Sequence, residues 1–327
     1  VFGQSIQYGH KKGGDVKVLV FSDMEGASGI NTYEQVIKEF GEPFEEGRRL
    51  LMGDINAAIV GLSEAGATDF VVADSHRRGS PPNVVDDKLQ QNATVIRGDD
   101  ISRYDYSGLA AQVLVGFHSK AGTESGFLSH TMSSLLGFAV RVNGRWAGEG
   151  ELEIWKAGRF DVPTIMAAGD SALASEIKSF FSDIPTVAVK ASESRTQVHC
   201  LDPKDTQDEI RKTAAHALNS LASFKVNIVR EPINLVIAFK SEELTDWAAK
   251  MPRVKRIHKR AISYEAKDWE EARAAYHTAY HLAFRVVDPA TARLGDDERV
   301  KEMRKELVRK MIRERWALPL EPLPNIP

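Results

Sequence analysis

The sequence predicts a three-layer α/β/α sandwich with a mainly parallel sheet, followed by a smaller α+β unit and a helical C-terminal extension. Short, nearly continuous apolar runs such as Val-Lys-Val-Leu-Val-Phe at 16–21 suit strands buried on both faces. Longer segments between them carry apolar residues at helical spacing. The two kinds of segment alternate, as a parallel sheet with crossover helices requires.

Taken in order, residues 1–15 are polar and glycine-bearing and read as a disordered lead-in. The 16–21 strand leads through a glycine-rich turn at 26–29 to a helix over about 42–65, where Phe44, Leu51, Ile55, Ile59 and Leu62 recur on one face and Gly66 stops the pattern. Strands are expected at 69–73, 94–97 and 112–117. Asn143-Gly144 marks a hairpin between 138–142 and Trp146. Helices at 149–159 and 171–181 then alternate with strands at 163–167 and 186–190. A helix near 205–223 completes a domain assigned to 16–228. Strands at 233–239 and 261–265 and a helix over 268–284 form a second unit, 229–288. The remainder, 289–327, is a charged helix and a proline-rich tail. Along that helix Val300, Met303, Leu307 and Met311 make one thin apolar stripe. So thin a stripe needs a partner to stay folded in water, and a neighbouring subunit is the partner expected.

The composition narrows the functional classes. A net charge of −3 gives no reason to expect a nucleic-acid or membrane partner. No apolar run approaches the roughly 18 residues of a membrane span. Residues 1–15 lack the apolar block of a signal peptide, and a start at Val1 reads as a processed or trimmed end. Cys200 is the single cysteine, which rules out an internal disulfide or a cysteine-based zinc knuckle and favours a reducing, cytoplasmic setting.

In open α/β sheets, ligands bind beyond the carboxyl ends of the strands. Ser22-Asp23-Met24-Glu25-Gly26 follows the first strand, Asp74-Ser75-His76 the second, and His118 the strand at 112–117. Asp23 and Glu25, two apart, leave the same face of extended chain. Two carboxylates crowded on one buried rim repel unless a cation joins them. Carboxylate and imidazole are the donors that catalytic zinc accepts. Each residue also has a plainer role as a cap, a turn former or a satisfied polar group. His277 and His281 lie four apart on a helix but lack the glutamate of a His-Glu-x-x-His motif, so a surface or subunit contact is the better reading. Arg195 is divided evenly between gripping a substrate carboxylate and a structural ion pair. There is no Gly-x-Ser-x-Gly elbow and no phosphate-binding Gly-x-x-x-x-Gly-Lys loop.

The segments Ser22-Asp23-Met24-Glu25-Gly26, Asp74-Ser75-His76, Gly116-Phe117-His118, Ser129-His130-Thr131-Met132 and Gly148-Glu149 resemble, in order, the signatures of the DppA-type D-aminopeptidases. The resemblance extends over most of the chain, 16–284, taking in 157–163, 168–170 and Ser194-Arg195. It implies a zinc-dependent peptidase with two Zn²⁺ per subunit, Asp23 bridging, Glu25 and His76 on one ion, and His118 and Glu149 on the other. His130 is then the catalytic histidine, suited by its titration range to proton transfer near neutrality. Glu151 competes with Glu149 for the ligand position, and spacing to 161–163 favours Glu149, leaving Glu151 behind the ligands or on a solvent-facing helix surface. The resemblance also implies short peptides with an amino-terminal D-residue as substrates and a ring-shaped homo-oligomer, a decamer being one candidate size. An amidase acting on another small amide would use the same residues. A dinuclear phosphoesterase is a separate class, disfavoured by the lack of a Gly-Asn-His segment, and a non-catalytic metal protein would need no His130.

Overall fold

The computed structural model describes residues 15–90, 93–286, 298–319, 325 and 326. The lead-in expected at 1–15 lies, except for Asp15, outside the described residues, as does most of the proline-rich tail. A seven-stranded sheet is ordered β3-β2-β1-β4-β7-β8-β9. Its strands are β1 Lys17–Ser22, β2 Asp69–Asp74, β3 Ala93–Arg97, β4 Leu109–Phe117, β7 Thr164–Asp170, β8 Thr186–Ser192 and β9 Val198–Cys200. All neighbours pair parallel except β9, which runs antiparallel along β8.

The strands are apolar throughout because both faces are covered. On β1, Val18 and Val20 face one core while Leu19 and Phe21 face the other. The first core lies under α1 Glu42–Glu64 and α5 Pro203–Asn219, the second under α3 Glu149–Gly158 and α4 Ser171–Phe180. Helix α5 starts earlier than its periodicity suggests, because Asp202 accepts from the Lys204 N–H (2.8 Å) and Pro203 needs no donor there. A short α2, Asp99–Arg103, lies between β3 and β4.

A second sheet, β11-β12-β10-β5-β6, is antiparallel throughout. Its strands are β5 Gly137–Val142, β6 Arg145–Ala147, β10 Ile233–Phe239, β11 Lys255–His258 and β12 Ala261–Ala266, packed by α6 Glu242–Ala248 and α7 Trp269–Phe284. The hairpin β5–β6 therefore does not belong with the strands before it. Val140 and Val142 pair with β10 and enter the core shared with Ile233, Leu235 and Trp269. A split at 228/229 overlooks this hairpin, because local periodicity fixes strand character and leaves the partner strand open.

The last helix, α8 Glu298–Ala317, packs one face on its own chain and leaves most of its apolar stripe exposed. Met303, Leu307 and Met311 are exposed, whereas Ile312 and Trp316 are buried and Val308 packs beside them. The buried seam is stepped at 308, 312 and 316, and its partner is the same chain's core under α1.

Helices α1 and α5 cross so closely that a Cβ at Gly61 would stand 2.0 Å from the Arg211 carbonyl oxygen. Alanine gains roughly 1 kcal/mol of helix propensity over glycine. Here the obstacle is backbone, which cannot rotate away, so overpacking dominates. Gly61→Ala is expected to lower the unfolding free energy by about 1–3 kcal/mol in chemical denaturation. A variant as stable as the wild type would show that the two helices are free to separate.

Candidate metal centre

The parallel register delivers three chain segments to one end of the sheet. Ser22 pairs with Asp74 on β2 and with Val115 on β4, so 23–25, 76 and 118 emerge side by side. The loop after β1 is clamped against β4 by Asp23 N–H to Val115 O (2.9 Å) and Gly26 N–H to Gly116 O (2.8 Å). Only glycine fits at 26, since a Cβ there would lie 1.6 Å from the Phe117 carbonyl oxygen. From behind, the buried Lys190 ammonium donates to the carbonyls of Glu25 (2.7 Å), Ala27 (2.9 Å) and Ile30 (2.7 Å). Burial lowers the Lys190 ammonium to about 8, although neighbouring acidic groups resist that shift.

Six predicted side chains meet there. His76 Nδ1 lies 3.0 Å from Glu25 Oε2 and 3.3 Å from Asp23 Oδ1. His118 Nε2 lies 3.4 Å from the other Asp23 oxygen and 3.5 Å from Glu149 Oε1. His130 stacks on His118, ring centres 4.2 Å apart, with its Nε2 3.7 Å from Glu149 and 4.0 Å from Glu25. Asp23, Glu25, His76 and His118 are buried, and only Glu149 (16%) and His130 (13%) keep a partly exposed side chain.

All three imidazoles are held from outside. His76 Nε2 donates to Val36 O (2.8 Å), His118 Nδ1 to Ser119 O (3.0 Å) and His130 Nδ1 to Leu128 O (2.8 Å). Each remaining ring nitrogen is thereby left facing the carboxylates, the outer support typical of metal-ligating histidines. His118 Nε2 is buried and makes no hydrogen bond. Bonds of about 2.0–2.1 Å in a tetrahedron separate ligand atoms by about 3.3 Å, close to the spacings here. Three overlapping donor groups are present: Asp23-Glu25-His76, Asp23-His118-Glu149 and Glu25-His118-His130.

The protonation tendencies show what the cluster demands. Burial lifts the Asp23 carboxyl, but His118 and His76 outweigh it and hold it well below the usual carboxylate range. Glu25 is likewise lowered, against burial and the Asp23 charge, by His76. Burial disfavours charged His76, yet the Glu25 and Asp23 charges drive it up to about 10. His118 rises in the same way, against burial, through Asp23 and Glu149. Protons on these two rings stand where a cation would otherwise balance the carboxylates. His130 goes the other way: burial and then the adjacent His118 lower it, keeping it neutral.

Other candidates have different work. Asp74 accepts from Asn83 N–H (2.9 Å), Val84 N–H (3.0 Å) and Arg97 Nε (3.1 Å), which pins the loop carrying His76. Glu151 is fully buried, so the solvent-facing helix surface, one of its two expected places, is excluded. It accepts from Gly148 N–H (2.7 Å) at the start of α3, and burial with the neighbouring Glu176 raises its carboxyl far above the usual range. His277 and His281 join no metal-capable group among the described residues. Cys200 is half-buried, and its thiol donates to the Ile30 carbonyl (3.6 Å). Arg195 lies over the Trp316 ring at 4.6 Å, and that ring stands edge-on to His130 at 6.4 Å. Trp316 was absent from the sequence-derived site. The i, i+4 spacing of Val308, Ile312 and Trp316 was its available signal, hidden by the more regular stripe beside it.

A family model described as D-aminopeptidase (peptidase M55) matches residues 16–278. The chain belongs to the D-aminopeptidase family. It is 30% identical over 278 residues to the D-aminopeptidase of Bacillus subtilis (strain 168), covering 83% of this chain and 98% of that one. It also resembles the solved Zn-dependent D-aminopeptidase DppA from Bacillus subtilis, described as a self-compartmentalizing protease, with a TM-score of 0.77 and 29% identity over 83% of this chain and 98% of that one. The match to the family runs from the first strand into α7 and takes in every clustered side chain; α8 lies beyond it.

One supporting group makes the site's pH response testable. Asp54 on α1 accepts from the Ser28 N–H (2.7 Å) and so ties the loop after β1 to the helix. Burial pushes its carboxyl from 3.8 up to about 6, against the Ser28 hydrogen bond and the Lys190 charge. A raised folded value means stability present at low pH and lost as pH climbs through about 6. Between about pH 4 and about pH 7 the wild type should therefore lose up to about 3 kcal/mol relative to Asp54→Asn. Parallel pH–stability profiles for the two proteins would contradict this.

Proposed function

We propose that Asp23, Glu25, His76, His118 and Glu149 hold two zinc ions per subunit, with Asp23 shared, in an aminopeptidase acting on short peptides that begin with a D-residue. By its family and its metal-capable cluster the chain is a zinc-dependent hydrolase of peptide bonds. The observation that carries the two-ion reading is the direction of Asp23: its two oxygens face different imidazoles, at 3.3 Å and 3.4 Å. Glu25 and His76 complete one group, His118 and Glu149 the other.

Zinc, when bound, supplies a Lewis acid that makes water a better nucleophile and polarises the scissile carbonyl. His130 handles the proton. Its Nδ1–H is fixed on Leu128 O, so Nε2 carries the lone pair toward the cleft. Kept neutral by burial and by His118, that nitrogen accepts the proton released as water attacks, and returns it to the leaving amine. Glu149 and Glu25 lie near enough to stabilise the imidazolium in between. The Met132 N–H holds Glu149 Oε1 at 2.7 Å and sets that carboxylate's rotamer.

The solved relative's description as self-compartmentalizing supports a ring-shaped homo-oligomer for this chain. A cytoplasmic site of action is supported by the single cysteine. Among the described residues no helix is long and apolar enough to cross a membrane.

Two variants separate the roles. Asp23→Ala should lose both zinc equivalents by elemental analysis, whereas retention of near-normal zinc would remove the bridging assignment. His130→Ala should keep its zinc and lose about 10²–10⁴ in kcat on a D-aminoacyl amide, the usual contribution of a positioned acid–base group. The group Glu25-His118-His130 supports a second reading, with His130 as a ligand. A metal-depleted His130→Ala protein would establish that reading instead.

A further inference from the structure

The edge of the cluster that reaches solvent is formed by His130 and Glu149, so a peptide enters across that edge. Trp316 stands there. Its ring meets His130 edge-on at 6.4 Å and is 7% exposed, and it comes from a helix outside the 16–278 stretch that defines the family. The helix is seated along the rim by specific contacts. Arg315 Nε donates to Ser134 O (2.6 Å), Arg309 Nε to Glu39 O (2.5 Å), and Arg195 lies over the indole while donating to Leu318 O (3.5 Å). Among the described residues the buried indole N–H has no hydrogen-bond partner. A buried donor left without an acceptor costs about 1–3 kcal/mol.

We propose that Trp316 is a specificity-determining wall of the cleft, which covers His130 and disfavours longer peptides there. The two rings are in edge contact, so no residue of a peptide fits between His130 and the indole. A longer chain must displace α8 or bend around it. The substrate class rests on the peptidase reading; the covering of His130 rests on geometry alone.

The test uses the full-length zinc-loaded protein, with Trp316→Ala and Trp316→Phe, on D-alanine amide and on the dipeptide and pentapeptide of D-alanine. Trp316→Ala should raise kcat/KM for the pentapeptide relative to the amide by about tenfold or more. Trp316→Phe should keep the wild-type length preference, because it retains an aromatic wall. A second readout needs neither zinc nor activity: carbethoxylation of His130 by diethyl pyrocarbonate, followed by peptide mapping, with exposed His281 as internal reference. Trp316→Ala should label His130 several-fold faster than the wild type, with His281 unchanged, while Trp316→Phe labels His130 at the wild-type rate. Unchanged labelling of His130 would overturn the wall whatever the kinetics. Faster labelling with the same length preference would overturn its role in specificity. Faster labelling in a protein whose wild type cleaves none of the three amides would leave the covering intact and count against the peptidase reading.

Discussion

Three carboxylates lie in one small volume at the carboxyl end of the central sheet, and three imidazoles direct ring nitrogens at them. Asp23 and Glu25 are buried with His76 and His118, and the His118 Nε2 has no hydrogen-bond partner. Without a cation, protons must settle on His76 and His118 to offset the carboxylate charge, which is why both rings are driven above their ordinary range. Burying uncompensated charge is too costly for a fold to tolerate without a purpose. The need for positive charge at this point governs the arrangement around it.

Much of the surrounding structure keeps those side chains from relaxing apart. The loop after β1 is held by β4 on one side and by the Lys190 ammonium on three carbonyls at its back. Asp54 ties it to α1, and Asp74 anchors the loop that carries His76. Glu149 opens α3 while Glu151, two residues on, closes the Gly148 N–H into the first turn. Backbone carbonyls at 36, 119 and 128 fix which nitrogen of each imidazole faces inward. Those carbonyls have no side-chain identity, so their part in the site belongs to the fold.

The C-terminal helix adds a layer to this centre. Its charged exposed face and buried 308–312–316 seam place an indole beside His130 without disturbing the metal-facing residues. Such an addition changes what reaches a site while leaving its chemistry alone. Function is thereby adjusted from outside the sheet, the arrangement expected when a rigid scaffold carries variable peripheral elements.

The sequence by itself determined the strand–helix alternation, the parallel sheet and the six polar residues of the site. Those rest on short-range patterns: apolar runs, helical spacing, and polar residues that directly follow strands or belong to ordered motifs. Only the tertiary structure decided three further matters. The β5–β6 hairpin joined the second sheet, because its partner β10 lies some ninety residues on and strand pairing is chosen by register and burial. Helix α8 turned its 308–312–316 seam inward, where the Glu39 and Ser134 carbonyls meet its arginines, and left the more regular stripe exposed. And the two oxygens of Asp23 came to face different histidines because β2 and β4 flank β1 in matching register, a relation between three strands that no local stretch of chain contains.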